Sequence, residues 1–288
     1  IEKEKMGGDC LNTGCVPSKS LIKSTRFLAE LTRSERYGIK QASAQFDFAE
    51  IMERVSVVIK QIEPHDSIER YTELAQVLSP WKVRVGDKTV TAQNIIIASG
   101  AKPRVPAIEG LESVTFYTSD TIWSLRELPK RLVVVGGGPI GCELGQCFSR
   151  LGSHVTLVDM ADRLITPEDE DASTLLMQQL VAEGVEMKLG RSVKRFVKKN
   201  SEQCIVINSE EGIEESLPFD AVLLAIGRQA NTSGMGLEKL GVQMTPAGTI
   251  DVDKHMRTQV PTIYACGDVA GPYQFTHTAA HYAWYSAV

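Results

Sequence analysis

Two cysteines, Cys10 and Cys15, stand five positions apart in GGDCLNTGCVPSKS (residues 7–20), among Gly7, Gly8 and Gly14 and one helical turn before Lys19. Thiols so spaced can form a structural staple, supply two ligands to a metal, or form a disulfide that opens and closes. A staple closing a loop of about six residues would constrain the unfolded chain by only roughly 2 kcal/mol, a small gain for a chain of 288 residues. A metal site would need a second Cys/His pair at ligand spacing. His277 and His281 stand at i and i+4, but no cysteine or carboxylate clusters with them in sequence, so no metal site is expected. The redox pair is the main candidate. The glycines would let the backbone approach a flat ligand closely. A helix beginning near Cys10 would favour a thiolate through its N-terminal dipole, and Lys19 adds positive charge on the same side.

A second constellation lies in RLVVVGGGPIGCELGQCFSRLGSHVTLVD (131–159). A β-branched apolar run leads into Gly136-x-Gly138-x-x-Gly141, then a helical stretch, then a second apolar run ending in Asp159. This is the βαβ dinucleotide fingerprint in its required context: glycines for the tight turn, the approach of a pyrophosphate and helix–strand packing, and an acid for the ribose hydroxyls. Asp159 would repel a 2′-phosphate and so favours NADH over NADPH, with Arg163 close by as the opposing charge. The competing reading is a glycine-rich turn that binds no nucleotide.

The elements that must position these residues fit an ordinary globular chain. Its 288 residues are enough for about two domains with proper cores, and 43% hydrophobic with 23% charged residues is an ordinary globular composition. A net charge of −5 argues against nucleic acid or an anionic membrane as the main partner. No apolar run approaches the roughly 20 residues of a membrane span, and no leader-like stretch stands before the first motif. Six cysteines do not make a disulfide-rich secreted scaffold, so a cytoplasmic protein is expected, where a disulfide is usually catalytic. Cys142 and Cys147 repeat the five-residue offset, but on a helix that is about 500° of rotation and they point apart. With Cys204 and Cys266 they read as small core residues. FDFAEIMERVSVVIKQIE (46–63) places apolar residues at 48, 51, 52, 55, 58, 59 and 62, one face of a helix.

GGDCLNTGCVPSK resembles the active-site signature of the class I flavoprotein disulfide reductases, the pyridine nucleotide-disulfide oxidoreductases, and most of all their dihydrolipoamide dehydrogenase and mercuric reductase-like branch. Further motifs carry the same likeness. TVTAQNIIIASGAKP (89–103) resembles the strand and turn that link the FAD and NAD domains, with Ser99 in place of the usual threonine before Gly100. LPFDAVLLAIGRQANT (217–232) resembles the strand and G-R-x-P-N turn leaving the NAD domain, with Gly227 conforming and Ala230 replacing proline. TIYACGDVAG (262–271) resembles the second FAD signature. The resemblance implies that Cys10 is the interchange thiol, Cys15 the thiol against the flavin, and Lys19 a flavin neighbour paired with Glu143. It implies that Glu2 meets the adenosine ribose, that Gly7 and Gly8 line the flavin, that Asp268 reaches the ribityl chain, and that His277 falls near the flavin ring.

The fold implied is α/β, with two Rossmann-like nucleotide-binding domains in three layers: an FAD-binding domain over 1–128, discontinuous and continued by 250–288, and an NAD(H)-binding domain over 129–249, entered through SLRELPKR (124–131). The family's FAD domain opens with its own strand and glycine motif about 30 residues upstream of the point where this sequence starts, and closes with a dimerisation domain carrying a catalytic His–Glu pair. Incompleteness at both ends, with the first strand lacking, is the expectation. TELAQVLSP (72–80) reads as too short for the extra strand that the family carries there. The cofactors implied are FAD and NAD, the partners a small-molecule or protein-bound disulfide or dithiol and a second subunit. The activity implied is that of an NADH-dependent flavoprotein disulfide oxidoreductase passing electrons between NAD(H), FAD and the Cys10–Cys15 disulfide. The alternatives are a metal-ion reductase of the mercuric type, or a nucleotide-binding or redox-sensing module without turnover.

Overall fold

Gly14 separates two helices, α1 (Gly8–Asn12) and α2 (Cys15–Leu31), so that Cys10 lies inside a short turn of helix and Cys15 opens a helix of 17 residues. The computed structural model describes residues 5, 7–66, 75–199, 202–209 and 212–287. Helix α3 (Phe48–Asp66) begins where the apolar periodicity predicts, after Asp47, whose carboxylate accepts the Ala49 N–H at 2.7 Å. Its buried face presents Phe48, Met52 and Val55.

The chain next forms an antiparallel three-stranded sheet, β1 (Ala75–Ser79), β2 (Lys82–Val85) and β3 (Lys88–Thr91). This corrects the expectation for residues 72–80: β1 does form there, paired from Ala75↔Val85 to Ser79↔Lys82 with an irregularity after Val77. A five-residue segment suffices because the β2–β3 hairpin, turned at Gly86 with φ +54°, supplies an edge to pair with.

Strands β4 (Ile95–Ile97), β5 (Ala101–Pro103) and β6 (Phe116–Tyr117) follow, and then the dinucleotide unit: β7 (Arg131–Val135), α4 (Pro139–Arg150) and β8 (His154–Val158). Leu132 to Val135 and Val155 to Val158 are all buried, as the middle strands of a parallel sheet must be. Pro139 opens α4, where a missing N–H costs nothing. Helix α5 (Glu170–Ala182) and β9 (Glu186–Lys188) come next, then a long antiparallel meander of β10 (Arg191–Lys199), β11 (Glu202–Ser209) and β12 (Glu214–Phe219), and then β13 (Ala221–Leu224). The five-stranded sheet runs β6-β13-β7-β8-β9, all pairs parallel, with β7 at its centre. Strand β14 (Arg228–Ala230) pairs with β5, and β15 (Ile263–Ala265) pairs parallel with β4. Helix α6 (Thr276–Ala287) closes the described chain.

The α/β class read from the sequence is thus the class observed, with a Rossmann-type parallel sheet around the glycine motif. Two compact units result. Leu11–Pro64 and Pro103–Gly227 form one; its core joins Leu21 of α2 and Phe48, Met52 and Val55 of α3 to Leu144, Cys147 and Phe148 of α4 and to the sheet residues Val134 and Leu157. The described residues of Ile1–Cys10, His65–Lys102 and Arg228–Val288 form the other, with a core of Val77, Ile95, Ile97, Leu237, Ile250, Ile263 and Val269 among others.

Candidate functional site

The glycine turn follows β7 at the point where the sheet order reverses, since β7 has β8 on one side and β13 on the other. Gly136 has φ +112°, and a Cβ there would stand 2.4 Å from the Ala225 carbonyl oxygen at the end of β13. A Cβ on Gly141 would lie 1.9 Å from the Gly136 carbonyl oxygen and 3.3 Å from Val134 Cγ1. Neither position admits a side chain. A Cβ on Gly138 would meet nothing within 4 Å, so the space before the first amides of α4 is open, as an incoming phosphate requires.

Asp159 sits half-buried at the end of β8, and its carboxylate is engaged by the turn itself. Oδ2 accepts the Gly137 N–H at 2.5 Å and Oδ1 accepts the Ala161 N–H at 2.7 Å. Gly137, outside the sequence fingerprint, belongs to the same contact: a Cβ there would lie 2.6 Å from Leu164 Cδ2 and 3.1 Å from Asp159 Oδ2. Arg163 turns its guanidinium to backbone carbonyls, donating to Glu168 O at 2.8 Å and Thr166 O at 2.7 Å.

In the same unit, Cys15 lies partly buried at the first position of α2, and Lys19 follows one turn later. The Lys19 ammonium donates to Glu143 Oε1 at 2.5 Å, joining α2 to the first turns of α4. The structure brings these two residues together, with both side chains exposed. Thr25 Oγ1 reaches Cys147 Sγ at 3.5 Å further along the same two helices. Trp123, which sequence reasoning missed, donates its indole N–H to Thr13 O at 3.0 Å and to Ser119 O at 2.7 Å. It thereby tethers the loop between the two cysteine positions. An open groove of about 380 Å³ beside Cys15 is lined by Lys19, Lys23 and Arg54 above Val16, Val58 and Ile62.

The other unit holds a second group of residues. Ser99 and Asn231 are locked together: the Ser99 hydroxyl donates to Asn231 O at 2.7 Å, Asn231 Nδ2 returns a bond to Ser99 O at 2.9 Å, and the Asn231 N–H donates to Gly100 O at 2.9 Å. The asparagine thus fixes the turn despite Ala230. Arg228, also missed from the sequence, pairs with Asp9 and donates to Ala101 O at 2.7 Å, while its Nε lies 3.3 Å from Asp268 Oδ2. Burial pushes the Asp268 carboxyl up from its ordinary value and Arg228 pulls against that shift. Gly7, Gly8 and Gly100 all have positive φ, of +87°, +58° and +64°. His277, on the first turn of α6, stacks its ring on Phe275 with centroids 5.5 Å apart. Gly227, at φ +97°, offers its carbonyl to the Arg104 N–H at 3.0 Å in the first unit. Glu2 lies outside the described residues.

The remaining thiols are the core residues that the sequence predicts in three cases: Cys142, Cys147 and Cys266 are buried, and Cys204 is half-buried in β11. Burial pushes the Cys142 thiol up to about 12 and the Cys147 thiol up to about 11. No group of three or more metal-ligating side chains occurs among the described residues, and no helix among them is long and apolar enough to cross a membrane.

A glycine turn at a topological switch point, joined through paired helices to a thiol that opens a helix, defines a class of nucleotide-dependent redox protein. The chain belongs to the pyridine nucleotide-disulphide oxidoreductase family, whose model matches residues 1–283. It is 36% identical to the dihydrolipoyl dehydrogenase of Bacillus subtilis over 98% of this chain and 63% of that protein. It is 30% identical to the mercuric reductase of Staphylococcus aureus over 98% of this chain and 53% of that protein. Among solved structures it superposes with a TM-score of 0.85, at 28% identity, on the HOCl-induced flavoprotein disulfide reductase RclA of Escherichia coli in its Cu(II) complex, covering 99% of this chain and 63% of that one. The chain spans 62–63% of the length of the first two dihydrolipoyl dehydrogenases it matches.

Proposed function

We propose that the protein is an NADH-dependent flavoprotein that passes electrons between NAD(H), FAD and a redox disulfide of Cys10 and Cys15, most like a dihydrolipoyl dehydrogenase. The observation that carries this reading is the Lys19–Glu143 pair at 2.5 Å, which references the helix opened by Cys15 to the helix that follows the glycine turn. The family uses FAD and NAD(H), and the residues present fit both: an open cradle at Gly138, an acid at Asp159, and a half-buried carboxylate at Asp268. Bound FAD would supply two-electron chemistry between a hydride donor and a disulfide. Gly136, Gly138, Gly141 and Asp159 hold the pyridine nucleotide; Glu2, Gly7, Gly8, Ser99, Gly100, Gly227, Asp268 and His277 serve the flavin side. In this reading FAD binding falls to 1–128 with 250–288 and NAD(H) binding to 129–249.

In the proposed cycle the Cys10–Cys15 bond breaks as it takes up two electrons, leaving the Cys15 thiolate at the helix N-terminus and Cys10 facing substrate. The Cys10 thiolate attacks one sulfur of an external disulfide, a mixed disulfide forms, and the other substrate sulfur leaves as a thiolate that takes up a proton. Cys15 then attacks Cys10, restoring the Cys10–Cys15 bond and releasing the second substrate sulfur. NADH is favoured over NADPH: Asp159 would oppose a 2′-phosphate, and the guanidinium of Arg163 is spent on two carbonyls. A cytoplasmic homodimer is part of the same reading. Reduction of a metal ion by the same thiols is the second reading, favoured by the mercuric reductase relative and by the Cu(II) complex of the structural neighbour.

The test is anaerobic two-electron reduction of the flavin-bearing protein. Cys15→Ser should abolish the long-wavelength thiolate–flavin absorption, whereas Cys10→Ser should keep it. The reverse pattern would overturn the assignment of the two thiols, and absence of the band from the unmutated protein would overturn the function.

A further inference from the structure

Arg228 is the least explained charged side chain of the molecule. It is 12% exposed, and all three groups it meets belong to its own unit. One terminal nitrogen serves both Asp9, the residue before Cys10, and the carbonyl of Ala101 in β5. Its Nε lies 3.3 Å from Asp268 Oδ2, yet that buried N–H has no aligned acceptor, so Arg228 and Asp268 are joined by charge and not by a directed hydrogen bond. Separations of 219 and 127 residues from Asp9 and Ala101 show that the contacts are tertiary. Asp9 and Ala101 fix the guanidinium; Asp268 receives its field.

We propose that Arg228 is a positioning residue for the flavin: anchored by Asp9 beside Cys10 and by Ala101, it holds a positive charge against the Asp268 carboxylate, which accepts a hydroxyl of the bound polyol chain. The inference rests on the reading of Asp268 as a flavin contact. Physically it follows from a contest between two effects. A carboxylate 18% exposed loses hydration, which favours its neutral form, and burial is the largest influence on Asp268. Among the described residues, Arg228 is the charged group that acts on it in the opposite sense. A neutral Asp268 would lose the charge-assisted part of its bond to a hydroxyl.

The sign of the pH effect follows directly. Removing Arg228 removes the influence that lowers the Asp268 value, so the carboxyl would protonate at higher pH than before. Flavin retention would then fail on acidification at higher pH than in the unmutated protein. Arg228→Lys keeps the charge but gives up the planar fork that reaches three groups at once.

Flavin release from the flavin-bearing protein, followed by FAD fluorescence across the acid limb, tests this in Arg228→Met, Arg228→Lys and Asp268→Asn. Arg228→Met should weaken retention by at least about tenfold and move the acid limb to higher pH. Arg228→Lys should weaken it less and leave the limb where it is. Retention unchanged in Arg228→Met, or the same pH-independent loss in both Arg228 variants, would overturn the proposal. Should Arg228→Met not fold, Arg228→Lys decides alone: unchanged retention, or a shifted acid limb, overturns it. Unchanged retention in Asp268→Asn would overturn the reading of Asp268 itself, and the proposal with it, whereas a loss there without one at Arg228 overturns the proposal alone.

Discussion

Replacing Asp159 separates the turn closure that its carboxylate performs from the ribose contact proposed for it. Its oxygens accept the N–H groups of Gly137 at 2.5 Å and Ala161 at 2.7 Å, so it closes the glycine turn before any nucleotide arrives. A hydrogen bond to a charged group contributes about 1.5–3 kcal/mol. Asp159 is only half-buried, so the lower figure applies, about 1.5 kcal/mol for each bond and about 3 kcal/mol for the pair. Asp159→Ala should lose both, and Asp159→Asn, with one acceptor oxygen left, should lose about half. Urea unfolding without nucleotide measures this, with an unchanged slope showing that the compactness of the unfolded state is the same. The ribose contact is read by coenzyme preference. NADH should be at least about tenfold better than NADPH by kcat/KM, or about 1.4 kcal/mol, and Asp159→Ala should erode that ratio towards unity. Stability within about 0.5 kcal/mol of the unmutated protein would refute the closing role. An unchanged coenzyme ratio in Asp159→Ala would refute the ribose role.

Two further outcomes follow from the packing. Gly141→Ala puts a methyl 1.9 Å from the Gly136 carbonyl, so the turn must move; the expected cost is about 1–3 kcal/mol, with dinucleotide affinity, measured by calorimetry, falling by more than tenfold. Alkylation at pH 8 followed by mass spectrometry should leave Cys142 and Cys147 unmodified in the folded protein, because thiols lifted to about 12 and about 11 carry almost no thiolate there; rapid labelling of either would show that α4 opens.

What the sequence made legible was local. The β7-α4-β8 unit could be read because two β-branched runs must be buried strands and because Gly136 and Gly141, at fixed spacing between them, stand where only a bare Cα fits. Helix α3 could be read because seven apolar residues fall on one face. Strand β1 escaped because five residues carry no period worth reading, and its partner hairpin lies beyond the next turn. Arg228 and Trp123 escaped for a different reason. Their contacts reach Asp9 and Thr13 across 219 and 110 residues, and nothing in the neighbourhood of either residue announces such a partner. Asp159 was read as facing a ligand, which left its bonds to its own turn unforeseen. A carboxylate that must face a ribose needs something to hold it there, and the nearest donors are the amides of the loop.

Magnitudes also decide what the Lys19–Glu143 pair is for. With side chains 59% and 38% exposed, it contributes under about 1 kcal/mol, too little to hold α2 against α4. That work falls to Leu21 in the shared core and to Glu183, 7% exposed, just beyond the end of α5. Burial alone would push its carboxyl up, but Arg150 at 2.7 Å, Gln179 at 2.5 Å and Arg33 at 3.1 Å more than offset this and hold it below its ordinary value. A buried carboxylate so enclosed is expensive to disturb, and Arg33 lies just past the C-terminus of α2 while Arg150 ends α4. The two helices are therefore fixed at their far ends and through their middle. Lys19 and Glu143 meet at the near end, where α2 begins with Cys15 and α4 follows the glycine turn. A weak ion pair in that place adds little stability and sets direction: it turns the Lys19 ammonium to Glu143, between the helix that Cys15 opens and the helix that follows the glycine turn. Preorganisation of this kind needs the scaffold to be rigid elsewhere, and the Glu183 cluster supplies it.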